Sequence, residues 1–184
     1  MINTKERTMV EKFEYKNEIY YYLNKKFTDS SFIILNKTLN NEIGEHYFSK
    51  VNYKSLPSKE LIDFIKEIKQ NELYNLSIMV CEFGLVKYES DEVFIKVILP
   101  ILTSSYRLNY QPSKVISLAT KFLHNKKYQS VPLLTSVAAA YCDISDYKSA
   151  KKTADYAYRL QNGSLGYENE LSLVYKRINK YLNN

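Results

Sequence analysis

The 184-residue chain is 45% hydrophobic and 25% charged, which is enough for one sizeable core or one short helical array. It is too short for a barrel of eight strand-helix units, and four Gly and four Pro argue against a fold of many tight turns or a glycine-rich nucleotide loop. The net charge of +6 is uneven: residues 111–184 hold 11 Lys and Arg against 5 Asp and Glu, while residues 1–110 balance at 15 each. A basic C-terminal part suits nucleic acid, acidic lipid, or an acidic peptide or protein, and also serves plain solubility.

Met1 to Arg7 carry both charge signs and lead into no apolar core of secretory type. The most apolar stretch, Val93 to Leu102, is broken by Lys96 and Pro100 and falls short of the roughly 18 to 20 apolar residues of a membrane span. Cys81 and Cys142 form no C-x-x-C pair. These features describe a reduced, cytoplasmic protein with no membrane partner.

In chain order, Tyr15 and Tyr20-Tyr21-Tyr22 crowd a predicted first helix, with Glu11, Glu14 and Glu18 along one side as a solvated face. Consecutive tyrosines point in different directions, so at least one is exposed or lies in an interface. Residues 1–56 therefore read as N-terminal helices that serve as a cap or a homodimerisation element. Phe32, Leu35, Leu39, Ile43 and Tyr47 step by three and four, as a helix facing a core does. The segment 49–57 is the expected boundary, and residues 57–184 form the second region. There the helical step recurs in Leu61 or Ile62, Ile65 and Ile68, in Leu73, Leu76, Val80 and Phe83, and in Val115 or Ile116, Ala119 and Phe122. It continues through Leu134, Val137 or Ala138 and Tyr141, through Tyr147, Ala150, Ala154 and Ala157, and through Leu171, Val174 or Tyr175 and Ile178.

Punctuation supports this. Pro57, Pro112 and Pro132 stand where helices begin, Ser145-Asp146 offers an N-cap, and Asn162-Gly163 offers a stop after Leu160. Pro100 opens a helix or kinks one. No run alternates with period two, so the expected class is all-α, with about eight or nine helices and no sheet.

The stretch 131–163 is more specific. Leu134, Val137-Ala138 and Tyr141 mark a first helix, Asp146-Tyr147 a turn, and Ala150, Ala154 and Ala157 a second helix. This pattern resembles the tetratricopeptide repeat, a helical hairpin of about 34 residues. Ala138, Ala150 and Ala157 match its small positions, while Asn162 stands where its proline would and Ala154 where a large residue is usual. Tyr175 follows Tyr141 by 34 residues and Tyr106 precedes it by 35. The resemblance implies a right-handed array of antiparallel hairpins, stacked because no hairpin buries its apolar stripe alone. It also implies a concave face lined by the first helix of each pair. The family's groove positions correspond to Ser104, Arg107, Thr135, Ala139, Asp143, Asn169, Leu173, Lys176 and Arg177. Small residues there would leave room for a ligand, Arg107, Lys176 and Arg177 would present cations, and Asn169 would both donate to and accept from a peptide backbone.

On the second helix, Lys151, Asp155 and Arg159 are spaced for i,i+4 pairs on a solvated face. Catalytic motifs are missing: there is no G-x-x-x-x-G-K-[ST], G-x-G-x-x-G or H-E-x-x-H. His46, four residues after Glu42, and His124, at a helix end, read as surface groups, and the cysteines as core. The expected function is a non-enzymatic peptide- or protein-binding module without cofactor. It is similar to the repeat domain of peptide-sensing regulators of Gram-positive bacteria and their phages, but lacks their helix-turn-helix in residues 1–56. The alternative is a nucleic-acid-binding protein using the basic C-terminal part.

Overall fold

The structure, a computed structural model, describes residues 10–161 and 169–182. Met1 to Arg7 and the Asn162-Gly163 stop lie outside the described residues. Within them the chain is mostly helical, with eight α-helices and one three-stranded sheet. Contacts divide it into two compact units at Leu76–Ser77.

The sheet corrects the expectation of N-terminal helices. Strands β1 (Val10–Tyr15), β2 (Glu18–Leu23) and β3 (Lys26–Thr28) form an antiparallel meander in the order β1-β2-β3. Their turns are the pairs Lys16-Asn17, with φ of 50° and 66°, and Asn24-Lys25, with φ of 50° and 61°. Two successive left-handed residues make the hairpin turn whose twist matches the flanking strands. Asn and Lys supply here the conformation for which glycine is usual, so scarcity of glycine did not prevent tight turns. Tyr15, Tyr20, Tyr21 and Tyr22 thus lie on strands, as do Glu11, Glu14 and Glu18.

Consecutive tyrosines do alternate, but across a sheet: Tyr20 and Tyr22 are buried while Tyr21 is on the opposite face, 5.0 Å from the Phe32 ring. The inner face gathers on Phe27, which is fully buried. Its ring centroid lies 4.6 Å from Tyr22, 5.9 Å from Phe13, 5.4 Å from Tyr47 and 5.9 Å from Phe48. Phe32 has φ of 59° and sits in a loop where Asp29 Oδ1 accepts from the amides of Ser31 and Ile33, each at 2.9 Å. Helix α1 (Lys37–Ser49) therefore starts a turn later than the periodicity implies, at Asn36, whose side chain accepts from Leu39 N at 3.0 Å.

Gly44 lets α1 approach closely, since a Cβ there would lie 2.7 Å from Leu73 Cδ1 and 3.2 Å from Phe27 Cε2. Helix α2 (Ser58–Gln70) follows Pro57 and buries Leu61, Phe64, Ile65 and Ile68. The segment 49–57 runs between α1 and α2 inside the first unit. The Tyr22 hydroxyl donates to Glu67 Oε1 at 2.7 Å and accepts from Asn71 Nδ2 at 3.0 Å.

The second unit takes most of α3 (Tyr74–Lys87) and all of α4 (Glu92–Leu108), α5 (Pro112–Phe122), α6 (Val131–Asp143), α7 (Tyr147–Leu160) and α8 (Glu170–Leu182). Asp91, Ser130 and Asp146 cap α4, α6 and α7 through their side chains. Pro112 and Pro132 occupy first turns. Pro100 does not open a helix; it lies inside α4, where the Thr103 hydroxyl donates to the carbonyls of Leu99 (2.9 Å) and Pro100 (3.1 Å). Ser77 and Ser105 hydroxyls meet at 3.0 Å, tying α3 to α4.

Helix α6 packs against α4, α5, α7 and α8, α4 against α5, and α7 against α8. One core cluster holds Ala138, Ala150, Ala154 and Ala157, all fully buried, with Leu134, Leu171, Val174 and Ile178. Small side chains on facing helices let the backbones come close. No described helix is long and apolar enough to cross a membrane.

Candidate functional site

Helices α4, α6 and α8 of the second unit line a groove made of two cavities, about 270 Å³ and 540 Å³, that share Arg107 and Arg177. Arg107 stands in the last turn of α4, where a cation suits the helix dipole. Its Nε is buried and has no hydrogen-bond partner among the described residues. Arg177, on α8, donates through Nη2 to Asp143 Oδ1 at the end of α6, 2.7 Å away. Burial is the largest single influence and works against the Arg177 charge, but the bond to Asp143 together with the attraction of that carboxylate, Cys142 and Tyr147 holds the guanidinium pKa above its usual value.

The structure brings Arg107, Thr135, Ala139, Leu173 and Arg177 to the smaller cavity. Asp143 joins Arg107 and Arg177 at the larger one. Thr135 donates its hydroxyl to Val131 O at 2.8 Å, so toward the cavity it offers mainly its small size. Leu173 is 53% exposed.

The other three candidates lie elsewhere. Ser104, on α4, lines neither cavity. Asn169 turns its Oδ1 to the Leu171 amide at 2.8 Å, which makes it a cap for α8. Lys176 borders a separate hollow of about 430 Å³ with Asp155, Tyr158 and Tyr175. There Tyr175 donates to Asp155 at 2.8 Å and Lys151 donates at 3.0 Å. Burial would raise the Asp155 pKa, and these two bonds together with the charges of Lys151 and Arg159 overcome it and hold the carboxyl below its usual value. The spacing of Lys151 and Asp155 thus did indicate an ion pair.

Sequence reasoning missed Ser136, Glu170 and Val174 in the smaller cavity and Leu108, Tyr110 and Pro112 in the larger. Tyr110 is 90% exposed with φ of 58°. The helical period points away from it, since it follows α4 in the turn before Pro112. The sequence Asn-Tyr-Gln-Pro was the available signal, because it marks a turn before a helix start and so places Tyr110 outside the helical pattern.

Cys142 borders the larger cavity but is 3% exposed, and Cys81 is fully buried. Burial pushes the Cys142 thiol above its ordinary pKa, against the opposing pull of Arg177. Iodoacetamide near neutral pH is accordingly expected to modify neither thiol in the folded protein and both in urea, read by mass spectrometry. Rapid native alkylation of Cys142 would contradict the packing of α6.

Glu42 pairs with Lys16 at 3.0 Å, and the His46 ring packs on Tyr15 with centroids 4.9 Å apart. Among the described residues no three His, Cys, Asp or Glu side chains lie close enough to hold a metal ion. Scans against models of known protein families, curated proteins and solved structures found no match to this chain.

Proposed function

We propose that α4 to α8 act as a short tetratricopeptide-like array, and that the groove along α4, α6 and α8 binds a peptide or protein segment through an acidic group. On this reading α4/α5 and α6/α7 are hairpins and α8 closes the array. The packing of α6 on both α4 and α8 supports it, as does the alanine seam between α6 and α7. The observation that carries the proposal is the buried Nε of Arg107, without a hydrogen-bond partner among the described residues, on a side chain that lines the same cavities as Arg177. A buried donor of a charged group is costly unless satisfied. If the Arg107 side chain turns its Nε into the groove, a carboxylate would satisfy it with two parallel hydrogen bonds, one to Nε and one to a terminal nitrogen. Resemblance to peptide-sensing regulators makes the role a regulatory one in a bacterium or phage, with the ligand as signal or partner.

Nucleic acid is the less favoured partner, because Lys127 and Lys151 of the basic part are already paired with Glu92 and Asp155.

Selection from a displayed library of random short peptides tests the proposal. Recovered peptides are expected to share an acidic residue or to bind through a free C-terminal carboxylate. Arg107→Glu is expected to weaken them by about 10- to 100-fold. Recovered peptides indifferent to Arg107→Glu would refute the groove assignment. Tight binding of duplex DNA that collapses with added salt, in place of peptide binding, would replace the proposal with the nucleic-acid reading.

A further inference from the structure

The two edges of the N-terminal sheet are unlike. The β3 edge is three residues long and partly covered, since Ile34 bridges to Thr28 and the Leu35 amide donates to Phe27 O at 3.4 Å. The β1 edge is six residues long, and among the described residues β1 pairs only with β2. An edge of that length left unpaired among the described residues is a template for another strand.

The hairpin register determines which groups the edge presents. In a two-residue hairpin the pair flanking the turn, here Tyr15 and Glu18, exchanges hydrogen bonds, and bonded pairs then alternate along the ladder. Tyr15, Phe13 and Glu11 therefore direct their amides and carbonyls to β2. Val10, Lys12 and Glu14 direct theirs outward. The Lys12 and Glu14 side chains are exposed and share the outer face of the sheet, opposite the aromatic core.

We infer that this edge pairs with a second copy of the chain, β1 antiparallel to β1, on a two-fold axis at Phe13. A two-fold antiparallel pair must set outward-directed residues against outward-directed residues, so the axis passes through a residue rather than between two. Two axes keep five residues of each Val10–Tyr15 strand paired. An axis at Lys12 sets Lys12 against its own copy. An axis at Phe13 sets Lys12 against Glu14 twice, Glu11 against Tyr15, and the two half-buried Phe13 side chains against each other. Opposite charges directly across a ladder stabilise it and like charges destabilise it. Charge complementarity thus selects both the second copy and the Phe13 register, and the product is a continuous six-stranded sheet. This inference does not depend on the peptide groove, which belongs to the other unit.

Sedimentation velocity on the full chain, from low- to high-micromolar concentration, tests it. The wild type is expected to dimerise. Lys12→Glu and Glu14→Lys alone each place like charges across both pairs and are expected to raise the dimer dissociation constant about tenfold. The combined Lys12→Glu/Glu14→Lys variant restores opposite charges and is expected to return the constant toward that of the wild type. Lys12→Pro removes an outward N–H that the β1–β2 hairpin does not use, so it is expected to abolish the dimer while the circular dichroism of the monomer is retained. A wild type that stays monomeric across this range overturns the inference. So does a dimer unaffected by the single reversals, or a double variant no tighter than the singles when all keep wild-type circular dichroism.

Discussion

Phe27→Ala is expected to lower the stability of the N-terminal unit by about 3–5 kcal/mol, the upper range for a single core truncation. Phe27 is fully buried, and its ring meets four others from β1, β2 and α1. Its edge also closes on the space that Gly44 leaves open. Removing it takes away the apolar area and leaves a cavity that rigid rings fill poorly, because aromatic side chains have few alternative rotamers. Urea unfolding followed by near-ultraviolet circular dichroism, which reports packed tyrosines, measures the loss. Tyr21→Ala is the control: it removes an aromatic from the outer face of the neighbouring strand β2 and should cost about 1 kcal/mol or less. Equal costs for the two would mean that the sheet does not bury Phe27.

The second large effect is in the alanine seam. Ala138→Leu is expected to destabilise the C-terminal unit by about 1–3 kcal/mol, through overpacking. Ala138 is fully buried in a cluster with Ala150, Ala154 and Ala157 from the neighbouring helix. Larger groups on α6 would push α7 away and break the contacts that Leu171, Val174 and Ile178 make from α8. Thermal unfolding followed at far-ultraviolet wavelengths reads the shift. Ala138→Ser adds little volume and should cost less than the leucine variant. A leucine that leaves stability unchanged, or raises it, would mean that α6 and α7 do not meet at this residue.

What the sequence made legible follows from how each feature is written in it. The helices of residues 57–182 were legible because their buried residues recur at three- and four-residue spacing, as Leu61, Ile65 and Ile68 do, and because Pro57, Pro112, Pro132 and Asp146 mark their beginnings. The sheet was not, for two physical reasons. Tyrosine occupies both faces of β2, so Tyr20, Tyr21 and Tyr22 show no polar alternation although their burial alternates. The turns use Lys16-Asn17 and Asn24-Lys25, which carry no glycine signal. Phe32 misled in a similar way: it falls in step with Leu35 and Leu39, yet its backbone is left-handed.

The groove was legible in part. Arg107, Thr135, Ala139, Leu173 and Arg177 come together because helical spacing alone sets which side of α4, α6 and α8 they share. Lys176 does not join them, since it is one residue from Arg177 and so about 100° around the helix. Tyr110 and Glu170 were missed because one sits in a turn and the other at a helix start, where periodicity gives no orientation.

The most direct test of the groove reads the Arg107 side chain itself. The chain has four arginines, Arg7, Arg107, Arg159 and Arg177, so a nitrogen–proton correlation spectrum of their Nε–H groups is sparse enough to assign by substitution. In the free protein the Arg107 Nε–H should exchange slowly with solvent, because it is buried. On adding an acidic peptide recovered by selection, its proton resonance should move downfield as a carboxylate accepts from it, while Arg159 stays in place. A peptide that binds at saturation and leaves the Arg107 resonance unmoved would contradict the account.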